Sequence, residues 1–143
     1  MKEITLIIIA ICICFVVKAQ YNKDIIVEPI LKTDTTSIGQ KIIYPNFQRD
    51  EVTISKITIQ PGKSTGWHKH KIPVFAYVLK GTLTVELENN KTMQYSENSS
   101  FSEVLNTFHN GINKGKESLV LIAFYMGEKG KALSVPKETN KEK

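Results

Sequence analysis

Several short segments of the chain alternate between apolar and polar residues with the period of two that a half-buried β-strand requires. In Glu51-Val-Thr-Ile-Ser-Lys-Ile-Thr-Ile59, Val52 and Ile54 alternate and then, after a slip at Ser55-Lys56, Ile57 and Ile59 do so. Gln60-Pro61-Gly62 ends that strand as a turn. Val74-Phe-Ala-Tyr-Val-Leu79 is apolar on both faces, the pattern of a strand covered on each side. Lys80-Gly81 punctuates, Thr82-Leu-Thr-Val-Glu-Leu87 alternates cleanly, and Asn89-Asn90-Lys91 reads as a hairpin turn. Leu119-Val-Leu-Ile-Ala-Phe-Tyr125 is the last strong strand. No long amphipathic helix follows residue 19, so the pattern predicts an all-β sandwich or small barrel.

The N-terminus has a different character. After Met1-Lys2-Glu3, an apolar run from Ile4 to Val17 closes in Lys18-Ala19. This is the pattern of a secretory signal cut after a small residue, too short to span a bilayer, which takes about 20 apolar residues. An uncleaved anchor is the alternative, because Glu3 cancels the charge of Lys2. The expected layout is a signal peptide over residues 1–19, an N-terminal arm over 20–40, a single domain over 41–128 and a polar tail over 129–143. The mature product is expected in the periplasm or medium, without stable membrane insertion. Cys12 and Cys14 both lie in the apolar run, each behind an Ile where lipid attachment would want a small residue. The mature chain therefore has neither a disulfide nor a thiolate to offer. Loss of Lys2, Lys18 and Glu3 reduces 19 basic and 14 acidic residues to 17 and 13, a net charge of +4. That excess is spread along the chain and its tail, which speaks for solubility and against nucleic-acid binding.

The candidate chemistry lies in three histidines. His68-Lys-His70 follows Gly62-Lys-Ser-Thr-Gly66-Trp67, and His109 opens His109-Asn-Gly-Ile-Asn113; the chain has no other histidine. A His-x-His pair on a strand puts both imidazoles on one face, and neutral imidazole is the commonest nitrogen ligand of first-row transition metals. A third imidazole from a distant strand completes a facial set with open positions.

These residues carry a family resemblance. Gly62, His68-x-His70 after five intervening residues, and Gly81 eleven positions after His70 resemble the first motif of the cupin family. Phe101 to Asn113, closing in His109 and, after three intervening residues, Asn113, resembles the second, and residues 82–97 separate the two as in compact bacterial cupins. The resemblance covers roughly residues 40 to 127. It implies a double-stranded antiparallel β-helix, a jelly-roll-like barrel holding a divalent metal (Fe, Zn, Ni, Cu or Mn) on His68, His70 and His109. The chain departs from the pattern where the family carries a metal-binding Glu, since residue 74 is Val. It departs again at Asn98, Val104 and Asn106, which replace the second motif's Gly, Pro and Gly; Asn is the non-glycine residue most tolerant of positive φ.

Three neutral imidazoles leave a divalent ion its full charge and hold Mg or Mn less well than Zn, Cu, Ni or Fe. Glu103 could restore the missing charge, yet on a straight strand it would stand about 20 Å from His109; a turn at Val104-Leu-Asn106 could fold it back, so a role at the metal or beside one of its ligands is the alternative to an exposed turn carboxylate, the reading preferred. Trp67 reads as rim packing or pocket lining, Phe108, Tyr77 and Tyr125 as core or interface, and Asn113 as a turn residue. No nucleophile–base pair is visible, so any catalysis would come through the metal. Three classes stay open: a metalloenzyme acting on a small organic molecule by oxygen-dependent cleavage, isomerisation or hydrolysis, a non-catalytic binder of a metal or small ligand, and a metal-free structural barrel. An acid or base beside the histidines, such as Glu103 or Tyr77, would favour the enzyme. Finally, Phe75, Tyr77 and Leu79 should face away from an inward row of Val74, Ala76 and Val78. That outer patch needs cover, either from residues 25–31 or from a second copy in a homodimer.

Overall fold

The computed structural model describes residues 24–138, so the expected signal peptide lies outside the described residues. Nine strands follow one another: β1 (Asp50–Ile59), β2 (His68–Lys69), β3 (Val74–Lys80), β4 (Thr82–Leu87), β5 (Thr92–Ser96), β6 (Ser100–Ser102), β7 (His109–Asn113), β8 (Leu119–Glu128) and β9 (Val135–Pro136). They form a four-stranded sheet, β1-β8-β3-β6, and a five-stranded sheet, β5-β4-β7-β2-β9. Every pairing between these strands is antiparallel, and the described residues contain no helix. The all-β expectation holds, and the two inner faces enclose the core.

That core joins Ala76 and Val78 of β3 and Leu119 and Leu121 of β8 to Leu83, Val85 and Leu87 of β4, with Phe101 and Val104 filling one side. Tyr95 stacks on Phe101 with 3.8 Å between ring centroids. A second, smaller cluster of Ile72, Val74 and Ala123 lies beside the first. β3 behaves as its pattern predicts: Val74, Ala76 and Val78 are buried, Phe75 and Tyr77 are half-buried, and Leu79 is exposed.

β1 corrects one expectation. Its register with β8 runs unbroken from Asp50↔Glu128 to Ile59↔Leu119, so no slip occurs at Ser55-Lys56. Side-chain parity then forces Val52 and Ile54 onto the face opposite Ile57 and Ile59. Ile59 is buried, whereas Val52 and Ile54 are 58% and 60% exposed. They extend the outer apolar face, since Ile54 pairs with Phe124, and Phe124 with Phe75. Residues 25–31 do not relieve it, because Ile25, Ile26, Val27 and Ile30 are themselves exposed.

Two turns and one loop need particular residues. Gly81 turns β3 into β4 at φ +84°, a left-handed conformation that glycine adopts without strain. Asn98 and Asn106 stand at φ +66° and +52°, the positive-φ turns for which Asn is the fitting substitute for Gly. The loop 103–108 between β6 and β7 is stitched on both sides. Gln40 accepts from Leu105 N at 2.9 Å and donates to Leu105 O at 2.8 Å, while Asn106 N donates to His70 O at 2.8 Å. Ser37 Oγ also donates to Ser102 O at 2.6 Å, so the N-terminal arm is tied to the strand and loop that precede His109. At the other end of the chain, β9, within the segment read as a polar tail, pairs with β2.

Candidate metal centre

His68 and His109 are direct register partners across β2 and β7, which sets their rings 4.4 Å apart between centroids. His70, two residues on and beyond the end of β2, presents its ring on the same side, 4.9 Å from His68 and 5.2 Å from His109. One potential ligand atom from each ring lies within 4.8 Å of the others. His70 and His109 are buried and His68 is half-buried.

Backbone carbonyls orient all three rings. His68 Nδ1 donates to Gly66 O at 2.8 Å, His70 Nδ1 to Leu133 O at 2.8 Å, and His109 Nδ1 to Thr107 O at 3.0 Å. A carbonyl can only accept, so each Nδ1 carries the hydrogen and each Nε2 keeps its lone pair when the ring is neutral. Gly66, at φ +77°, turns into a left-handed conformation that glycine adopts without strain. Thr65 Oγ1, accepting from Gly111 N at 2.9 Å, ties the same loop to β7.

Glu103 joins them, which overturns its reading as an exposed turn carboxylate. Its Oε2 lies 2.8 Å from His109 Nε2 and 3.7 Å from His70 Nε2, with only 14% of its side chain exposed. The straight-strand distance failed because residues 103–108 fold back, with Val104 buried and Asn106 at positive φ. Although His109 Nε2 is in contact with the carboxylate, it has no partner in hydrogen-bonding geometry and is fully buried. An imidazole nitrogen left in that state fits a metal ion, because a buried polar atom without a partner is costly.

The electrostatics differ among the three rings. Burial lowers the pKa values of His68 and His70, keeping them neutral and able to ligate near neutral pH. For His109, burial pulls in the same direction, but Glu103 more than offsets it and the pKa is raised. Burial pushes Glu103 up, yet the neighbouring His109, with His70 and His68 adding to it, holds the carboxyl below its usual value.

A cavity of about 350 Å³ opens beside these groups. Its apolar wall comes from Ile57, Ile59, Leu83, Val85 and Leu121, its rim from Trp67, and no Lys or Arg lines it. Tyr125 also lines it, with its ring edge-on to His70 at 5.7 Å, and burial raises its pKa. The expectation that Tyr125 is core or interface misses this. Strand parity could have found it, since Tyr125 shares the face of the buried Leu119, Leu121 and Ala123. Tyr77 instead faces away from the core, and its hydroxyl donates to Asn98 Oδ1 at 2.9 Å. Asn113 holds a turn, as read. The Leu133 carbonyl could not be read from side-chain chemistry at all.

Comparisons with known proteins agree with this architecture. The cupin-domain family model matches residues 55–125. No curated protein sequence matches. Among solved structures, a protein from Bacillus halodurans is 21% identical over 59% of this chain and 69% of its own, with a TM-score of 0.51. The DMSP lyase DddQ from Ruegeria pomeroyi DSS-3 is 12% identical over 64% of this chain, with a TM-score of 0.54, but the match spans only 45% of that enzyme. A cupin domain from Bordetella pertussis Tohama I is 25% identical over 62% of this chain and 99% of its own, with a TM-score of 0.48. The chain belongs to the cupin superfamily, whose barrels often carry a transition metal on such histidines.

Proposed function

We propose that this cupin is a small metalloenzyme that holds one divalent transition metal on His68, His70 and His109 and acts on a small organic molecule in the adjoining cavity. The observation that carries the reading is the convergence of three oriented imidazoles on a cavity that also contains Glu103 and the Tyr125 phenol. A wholly apolar pocket would have favoured a passive binder. When bound, the ion supplies Lewis acidity and lowers the pKa of a coordinated water. The protein's own groups supply the rest. The apolar wall excludes water and takes the substrate's hydrocarbon body, and Trp67 closes one side of the mouth. Tyr125, a phenol whose pKa burial raises further above neutrality, can donate a hydrogen bond to substrate oxygen. Since no Lys or Arg lines the cavity, the ion would supply the main positive charge for a substrate anion.

Elemental analysis of protein isolated from its native host tests the reading, because overexpression mismetallates such sites readily. About one transition-metal ion per chain is expected, and His109→Ala should lower affinity sharply, because it removes the imidazole that β7 contributes. Metal content near zero, persisting after reconstitution with Fe, Zn, Cu, Ni and Mn, would leave the metal-free structural barrel. The proposal extends to export, with the mature chain beginning at Gln20 in the periplasm or medium. It extends also to a homodimer that covers the outer face around Ile54, Phe75 and Phe124, two-fold pairing being the commonest closed arrangement.

A further inference from the structure

We infer that Glu103 is the fourth protein ligand of this centre, supplying from β6's end the carboxylate donor that Val74 cannot supply from β3. The inference rests on the three-imidazole reading above. Four observations carry it.

The first is register. Phe75 pairs with Ser102 and Ala76 with Phe101, so the next antiparallel position sets Val74 opposite Glu103; Glu103 N donates to Val74 O at 2.9 Å. Residues directly opposite in an antiparallel pair project from the same face, with Cβ atoms about 4.5–5.5 Å apart. Val74 is 1% exposed and points inward, and Glu103 points inward beside it. A carboxylate on either strand can therefore reach the same point.

The second is which side of each ring the carboxylate occupies. An outer carboxylate that merely orients a ligating imidazole accepts from the nitrogen remote from the ion. Here the three Nδ1 atoms are already taken by Gly66, Leu133 and Thr107 carbonyls. Glu103 meets His70 and His109 at Nε2, the nitrogens left for the metal.

Spacing is the third. Two donors about 2.1 Å from one ion stand about 3.0 Å apart in an octahedral arrangement and about 3.4 Å in a tetrahedral one. The separations of 2.8 and 3.7 Å from Glu103 Oε2 to the two Nε2 atoms bracket those values.

The fourth is charge. Within 4 Å, among the described residues, the carboxylate's ion-pair partners are imidazoles alone, with no Lys or Arg. A buried carboxylate needs a cation, and a divalent ion at the Nε2 atoms would supply two charges where a protonated His109 supplies one. The donor set becomes three nitrogens and one anionic oxygen, which lowers the net charge of the centre by one and favours Fe and Mn more than three imidazoles would.

The test loads cobalt(II) into purified full-length wild type, Glu103→Gln, Glu103→Val and the strand swap Val74→Glu/Glu103→Val. It measures affinity by calorimetry and coordination by the visible spectrum, with far-ultraviolet circular dichroism to confirm folding. Glu103→Gln and Glu103→Val should each weaken binding by about tenfold or more and change the d–d bands, a loss no smaller than that typical of an outer-shell partner. The swap should restore wild-type bands and most of the affinity. Wild-type bands and affinity in folded Glu103→Gln would overturn the ligand role and leave the three-imidazole reading standing. Failure of wild type itself to bind cobalt would overturn both. A folded swap that stays as weak as Glu103→Val would overturn the equivalence of positions 74 and 103.

Discussion

Asn113 closes the strand that carries His109, and its replacement tests how a polar side chain can hold this barrel together. The residue is 1% exposed. Its Nδ2 donates to Ile59 O at 2.8 Å and to Glu117 O at 2.7 Å, and its Oδ1 accepts from Gly115 N at 2.9 Å. One amide thus ties the end of β1, the end of β7 and the turn into β8. Each neutral hydrogen bond contributes about 0.5–1.5 kcal/mol net, and stranding the buried Ile59 carbonyl adds to the loss, so Asn113→Ala should cost about 3 kcal/mol. For a domain of this size that is roughly a 10–15 °C fall in Tm. Asn113→Asp is the sharper control, because it keeps the Oδ1 acceptor for Gly115 but turns a second, charged oxygen towards two carbonyl oxygens. It should destabilise at least as much as Ala. Urea unfolding of the three proteins at pH 7, analysed with a common slope, reads both numbers. A cost below about 1 kcal/mol for Asn113→Ala, or a milder effect for Asn113→Asp than for Ala, would refute the hydrogen-bond reasoning.

Further outcomes follow from other parts of the structure. Ending the chain after Lys131 removes the Leu133 carbonyl that holds His70 and the β9 strand beside His68; metal affinity should fall about tenfold or more while the barrel stays folded, and unchanged affinity in calorimetry would show that neither contact matters to the site. Light scattering at tens of micromolar should give a dimer mass, as an order-of-magnitude working concentration, and Ile54→Lys should give a monomer with native circular dichroism. A wild-type monomer would instead make Phe75→Ser a destabiliser of the fold rather than of an interface. N-terminal sequencing of the exported protein, allowing for cyclised Gln20, should begin at residue 20, whereas Met1 in a membrane fraction would make residues 1–19 an anchor.

The strands were legible because their cause is local. Period-two alternation in Thr82–Leu87 and double-sided hydrophobicity in Val74–Leu79 state which faces are buried before any partner is known. The three histidines were legible for a related reason: His-x-His on extended chain needs no long-range information to put two rings on one side, and the motif spacing located the third. Where a choice depended on a partner, the sequence was silent. Val52 and Ile54 look like core residues in isolation, and only the unbroken register with β8 turns them outward. Glu103 is six residues from His109 along the chain, and its approach to 2.8 Å depends on a loop pinned by Gln40 on one side and His70 on the other. The orientation of His70 comes from a backbone carbonyl of residue 133, a group that every residue possesses and no sequence pattern marks. Local alternation therefore determined the strands and the imidazole set, while the carboxylate, the ring orientations and the cavity came from contacts between segments far apart in the chain, whose geometry exists only once both sheets have closed.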